Sequence, residues 1–253
     1  MQIDEAVMII TGAGSGIGAA TARAANTAGA HLVLAGRRQD RIAAVADELR
    51  AARPDRSVLA IPTDVTDRSG LGTLVERTLD VHGRIDVLIN NAGQGFYSSV
   101  AVADFDLYRR ILEVNLVAPL AAMQAVLPSM RASGRGVIIN VSSGASLGVY
   151  PTTGAYASTK AALNQLSAVA RAELAPEGIT VSLIHPYLTE SEFDQALLGG
   201  DPILAPPEAP QHSAEYVASS LIDLIRSGDE VTVLLPMQVG AQNDGATELS
   251  RAL

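Results

Sequence analysis

The sequence predicts an α/β fold built on one doubly wound parallel sheet of about seven strands, with helices on both faces. Three observations predict it. Short apolar runs recur seven times: "AVMII", "HLVLA", "SVLAI", "IDVLIN", "GVIINV", "ITVSLI" and "EVTVLL". Each is apolar on both faces, as strands buried on both sides of a parallel sheet must be. Between them lie longer stretches with helical periodicity, and the count falls one short of a closed eight-stranded barrel.

Taken in order, the first strand spans 6–11 and runs into a glycine turn, then the helix "GAATARAANTAG". The second strand, "HLVLA", precedes the helix "DRIAAVADELRAA", and the third, "SVLAI", precedes "LGTLVERTLDVHG". Strand four, "IDVLIN", leads to a long helix around 107–133, and strand five, "GVIINV", to another around 155–175. Strand six, "ITVSLI", is followed by a Pro- and Gly-rich stretch, "LLGGDPILAPPEAP". That composition predicts a mobile substrate-covering loop, about 187–212, before the last helix and the last strand. No repeat, low-complexity tract or long linker interrupts the alternation, so residues 1–253 are expected to form one domain.

Composition narrows the function. The net charge of −9 argues against nucleic acid as a partner. With no cysteine, disulfides and thiolate chemistry are excluded. The histidines, His31, His82, His185 and His212, lack metal-ligand spacing, and no metal is expected. The N-terminal segment carries acids rather than bases and too short an apolar run for a signal peptide. The stretch Leu116 to Met130 is interrupted by Pro119, Gln124 and Pro128, which reads as a buried helix rather than a membrane span. A cytoplasmic protein without membrane partners is the simple expectation.

The first strand ends in "TGAGSGIG", which places Gly12, Gly16 and Gly18 at a strand-to-helix turn. Glycines there permit close backbone approach to a pyrophosphate, and the helix offers N–H groups and the positive end of its dipole. Ser15 and Ile17 belong to the same turn and join the cofactor-binding candidates. At the end of the second strand, an acid would bind a ribose 2′-hydroxyl. The text there is "LVLAGRRQD", with Gly36 in the acid's place and Arg37 and Arg38 after it. A guanidinium matches phosphate geometry, which predicts NADP(H) over NAD(H). The other reading makes both arginines solvated residues opening the next helix.

"SSGASLGVYPTTGAYASTK" carries the second signal. Tyr156 and Lys160 lie four apart, on one face of a helix, and Ser143 stands thirteen residues before the tyrosine. A fixed ammonium favours phenolate, as would an oxidised nicotinamide ring above it, and both are expected to pull the phenol toward neutrality, where acid–base work is effective. Ser143 can donate a hydrogen bond to a carbonyl and hold it beside the phenol. Asn115 precedes Pro119 by four, so proline's missing N–H leaves the carbonyl of residue 115 free.

Together, TGxxxGxG, Asp64 in "PTDVTD", "NNAG" at 90–93, Asn115, Ser143 and the Tyr156/Lys160 pair resemble the short-chain dehydrogenase/reductase family, over about residues 5 to 235. The resemblance implies a Rossmann-type sheet with strand order 3-2-1-4-5-6-7. It implies a catalytic set of Asn115, Ser143, Tyr156 and Lys160. In that family the tyrosine is the acid/base and the serine orients the carbonyl. The lysine also binds the nicotinamide ribose, and the asparagine's backbone carbonyl holds a relay water. Asp64 and Val65 would flank the adenine, and Asn91, Ala92 and Gly93 would line the cofactor. Pro186 and Ser191 would contact the nicotinamide end. A homodimer or homotetramer is implied, the dimer through the two long helices.

The text departs from the family at "IHPYLTESEF", where Tyr187 replaces the usual glycine. Tyr187, with Tyr150 and Phe193, is expected either to narrow the substrate pocket or, for Tyr187, to pack under the mobile loop. The loop's Leu188, Leu197, Leu198 and Ile203 are apolar, which favours an uncharged carbonyl or alcohol substrate. The usual Gly-rich close after the last strand is missing, and the tail after about 238 is expected to be disordered or docked on a partner subunit. The expected activity is reversible NADPH-dependent reduction of a ketone or aldehyde. Alternatives are a non-catalytic NADP-binding sensor or scaffold, and a nucleotide-sugar epimerase or dehydratase.

Overall fold

The computed structural model describes residues 1–193, 197–199 and 211–236. Ile203, much of the substrate loop and the tail after 238 lie outside the described residues. Seven strands form one sheet in the order β3-β2-β1-β4-β5-β6-β7, and every pairing is parallel. They are β1 Val7–Thr11, β2 His31–Gly36, β3 Val58–Pro62, β4 Val87–Asn90, β5 Gly136–Val141, β6 Ile179–His185 and β7 Val231–Val233. The helices are α1 Gly16–Thr27, α2 Gln39–Ala52, α3 Arg68–His82, α4 Phe105–Leu112, α5 Ala118–Ser133, α6 Gly154–Leu174 and α7 Ala214–Ser227.

Strand residues alternate between two cores, which is why the runs are apolar throughout. Met8, Ile10, Leu32 and Leu34 pack with Ala22 of α1, Ile42 of α2 and Leu221 of α7. Ile9, Val33, Leu88 and Ile138 point the other way, onto Leu74 of α3, Val126 of α5 and Leu174 of α6. The order reverses between β1 and β4, and in such a sheet the crevice opens beyond the carboxyl ends of the strands at that point.

Two expectations change. The last strand is shorter than "EVTVLL", ending at Val233; among the described residues it pairs only with β6, and Val231 and Val233 are exposed, as on an edge strand. The helix around 107–133 begins at Phe105 and contains a widened π turn, Glu113–Val117. There the N–H of Ala118, the residue directly before Pro119, reaches back to the carbonyl of Glu113, and the missing N–H of Pro119 breaks the normal ladder. Phe105–Ser133 is long and apolar enough to cross a membrane by length and composition. Its Ala122, Met123, Val126 and Met130 pack against the sheet, while Leu120 is exposed, so the helix is only partly buried.

Candidate active site

The glycine turn is fastened from both sides. Thr11 Oγ1 accepts from the backbone N–H of Asn91 at 3.0 Å and of Ala92 at 3.1 Å. The Asn91 amide donates back to the Thr11 carbonyl at 2.9 Å. Gly12 has φ 67°, the left-handed region, and a Cβ on it would stand 2.9 Å from Ala92 Cα. A Cβ on Gly18 would stand 2.2 Å from the Gly12 carbonyl oxygen. Ser15, at the N-cap of α1, does not cap the helix with its side chain; its Oγ accepts from Arg38 at 3.2 Å instead. The first turn of α1 also carries no acid. A backbone cradle that Cβ atoms would fill, under an uncapped helix terminus, fits a pyrophosphate.

From this turn a cleft of about 1020 Å³ runs across the carboxyl ends of the strands. It brings together most of the residues singled out in the sequence. Gly12, Ser15, Gly16 and Ile17 line it at the turn, with Arg37, Arg38, Asp64 and Val65 at one end. Asn91, Ala92, Gly93, Ser143, Tyr150, Tyr156, Lys160, Pro186, Tyr187, Ser191 and Phe193 line the rest. Gly18 and Asn115 do not line the cleft; they act from behind it. Asn115 is fully buried and braces three segments. Its Oδ1 accepts from Gln94 N at 2.9 Å, and its Nδ2 donates to Gln94 O at 2.8 Å and Thr159 Oγ1 at 3.1 Å. The π turn thus ties the loop after β4 to the helix that carries Tyr156.

Tyr156 and Lys160, on α6, are both buried. The phenol sits between the edges of Tyr97 and Phe193, with ring centroids 5.9 and 5.6 Å away. Burial pushes its pKa up to about 12, against a smaller downward pull from a hydrogen bond with Ser143. In the chain alone the shift thus runs opposite to the expected pull toward neutrality. The aromatic rings strip the phenol of water, which disfavours phenolate. The Lys160 ammonium, meanwhile, donates to the Val141 carbonyl at 2.9 Å. Burial also holds Lys160 down, to about 8. Ser143 Oγ accepts from the Ala145 N–H at 3.1 Å, which leaves its hydroxyl proton for an acceptor in the cleft.

Tyr187 lines the cleft, and its ring also lies 6.4 Å from that of His212, at the far end of the loop expected to cover the substrate. The loop's ends are zipped together: His212 N donates to Leu188 O at 2.8 Å, and Glu190 N to His212 O at 2.9 Å. Leu198 N bonds Gly95 O at 2.9 Å, which lays residues 197–199 along the segment that carries Tyr97.

Sequence reasoning missed Tyr97, Gln94, Arg41 and Glu192. Tyr97 and Gln94 follow "NNAG" directly, and Arg41 lies one helical turn beyond Arg38, so proximity in sequence was a usable signal. Glu192 offered none. Its carboxylate reaches Arg38 at 3.2 Å and Arg41 at 3.4 Å from a loop more than 150 residues away.

Comparison with known proteins agrees with this geometry. Residues 6–199 match the short chain dehydrogenase family. A dehydrogenase/reductase SDR family protein 7-like of Anopheles gambiae is 34% identical over 238 residues, covering 91% of this chain and 75% of the relative. Among solved structures, an alcohol dehydrogenase from the archaeon Thermococcus sibiricus, complexed with 5-hydroxy-NADP, superposes with a TM-score of 0.82 at 26% identity. It covers 96% of this chain and 100% of that one. A short chain dehydrogenase/reductase from Burkholderia phymatum in complex with NAD gives a TM-score of 0.83 at 25% identity, covering 92% and 90%. Sequence, sheet order and cleft lead to one conclusion: the chain belongs to the short-chain dehydrogenase/reductase family of oxidoreductases.

Proposed function

We propose that the protein is an NADPH-dependent reductase of uncharged ketones or aldehydes, working reversibly. The observation that carries the reading is the placement of Ser143, Tyr156 and Lys160 in one cleft with the Gly12–Gly18 turn and Arg38. When bound, NADPH supplies the hydride that the carbonyl carbon takes up. The chain's own residues do the rest. The turn, Asn91, Ala92 and Gly93 would hold the dinucleotide, with Arg37 and Arg38 toward a 2′-phosphate. Ser143 donates its hydroxyl proton as a hydrogen bond to the carbonyl oxygen. Tyr156 gives its proton to that oxygen, and the Lys160 ammonium stabilises the phenolate left behind. Apolar Leu188, Leu197 and Leu198 near the site support an uncharged substrate.

The test is turnover of NADPH against NADH on a panel of uncharged ketones, with an Arg38→Ala variant in parallel. Arg38→Ala is expected to raise the KM for NADPH about tenfold and leave that for NADH within about twofold, the loss of one charge-assisted phosphate contact. A clear preference of the native chain for NADH would sink the cofactor assignment.

The pH profile has a definite sign. Reduction needs Tyr156 protonated and Lys160 charged. A phenol held at about 12 keeps its proton through neutral pH, whereas an amine held at about 8 loses its charge just above it. The kcat/KM for reduction is therefore expected to be flat below about pH 7 and to fall as pH rises through 8. A kcat/KM profile that climbs through pH 9 contradicts this assignment of roles.

A further inference from the structure

We infer that Glu192 is a specificity-determining residue, an internal anion that competes with a cofactor 2′-phosphate for Arg38 and Arg41; this rests on the NADPH reading above. Arg38 and Arg41 lie one turn apart at the start of α2. The Glu192 carboxylate bridges them, Oε2 to Arg38 at 3.2 Å and Oε1 to Arg41 at 3.4 Å. The same Arg38 Nη2 also donates to Ser15 at the glycine turn, so the guanidinium that Glu192 holds is the one leaning on the dinucleotide cradle. Arg37, exposed beside them, makes no hydrogen bond or ion pair among the described residues.

Charge and geometry say what the contact does. Two long ion pairs between side chains a third to a half exposed hold weakly, so a better anion can displace the carboxylate. A phosphate monoester carries up to two negative charges and three acceptor oxygens, and it suits a pair of guanidiniums better than one carboxylate does. A carboxylate left beside that phosphate would repel it, so Glu192 must swing away. Its neighbours make that movement matter. Ser191 stands over the turn, where a Cβ on Gly16 would meet the Ser191 Cβ at 3.1 Å, and Phe193 packs on the Tyr156 ring. The carboxylate thus weakens the preference for a phosphorylated cofactor and holds the start of the substrate loop against α2 until that cofactor arrives.

Isothermal titration of NADP⁺, NAD⁺ and adenosine 2′,5′-bisphosphate into the native chain, Glu192→Gln and a control Glu190→Gln tests this without any turnover. Glu192→Gln is expected to tighten NADP⁺ and the bisphosphate about fivefold, with NAD⁺ within about twofold and Glu190→Gln unchanged. If the native chain prefers NADP⁺ but Glu192→Gln binds it no better, the inference fails while the NADPH reading stands. If the native chain prefers NAD⁺ and Glu192→Gln moves the preference toward NADP⁺, the inference stands and the NADPH reading fails. Weaker NAD⁺ binding by Glu192→Gln, with NADP⁺ unmoved, makes the carboxylate a ribose ligand and overturns the inference.

Discussion

Replacing Tyr156 with Phe is expected to lower kcat for ketone reduction by about a thousandfold while the dissociation constant for NADPH changes less than about threefold. The substitution removes one oxygen and keeps the ring. Tyr156 is packed edge-on against Tyr97 and Phe193, so phenylalanine keeps both ring contacts and the fold around α6. What it removes is the proton that the substrate oxygen must receive. Ser143 cannot substitute, because its ordinary role as a hydrogen-bond donor leaves an alkoxide if it gives the proton away completely. Stopped-flow or steady-state oxidation of NADPH, paired with calorimetric binding, separates the two quantities. Retention of more than about a tenth of the native kcat would remove Tyr156 from the acid/base role. Equal loss of binding and rate would instead mark a disturbed site.

Gly18→Ala is the second large effect, and its cause is steric rather than chemical. A methyl group there would stand 2.2 Å from the Gly12 carbonyl oxygen and 2.7 Å from the Asn91 amide nitrogen. The first is backbone, so the turn itself must shift. The Asn91 amide, which bonds the Thr11 carbonyl and, at 3.3 Å, that of Gly12, must move with it. Overpacking of this kind destabilises by about 1–3 kcal/mol, which in a domain of this size lowers Tm by roughly 3–10 °C. Because the displaced atoms build the cradle, cofactor affinity is expected to fall more than tenfold along with it. Gly72→Ala is the matched control, for a Cβ at that position of α3 meets nothing within 4 Å. There the better helix propensity of alanine is expected to raise stability by about 0.5–1 kcal/mol. Thermal melts of both variants check the contrast; a Gly18→Ala protein that melts like the native chain would mean the turn is looser than its contacts suggest.

The sheet was legible in the sequence because strands buried on both faces leave an unbroken apolar run. All seven runs became strands, and the inferred order followed from the family resemblance. The cleft-lining residues were legible where chemistry demands a residue type at a short spacing, as with Gly12 and Gly16 or Tyr156 and Lys160. Interactions between distant segments were not. Nothing in "TESEF" announces that Glu192 lies on Arg38, nor that His212 pairs with the chain at Leu188. The direction of the Tyr156 shift in the chain alone was not legible for the same reason. Charge at i+4 could be read from the sequence, but the desolvating rings of Tyr97 and Phe193 come from elsewhere in the fold. Asn115 was picked out for its backbone carbonyl, while its side chain turns out to brace Gln94 and Thr159.

The hydrogen bonds that join Leu188 and Glu190 to His212 set the terms on which this protein can diversify. These bonds tie residues 188–190 to residue 212 and so close the span between them into a loop. The entropy of closing such a loop grows only with the logarithm of its length, about 0.6 kcal/mol for each doubling. Insertions, deletions and wholesale replacement between the stems therefore draw little on the stability stored in the two cores. Sequence between the stems can thus vary by small genetic steps, while the seven-stranded sheet and the glycine turn stay where they are.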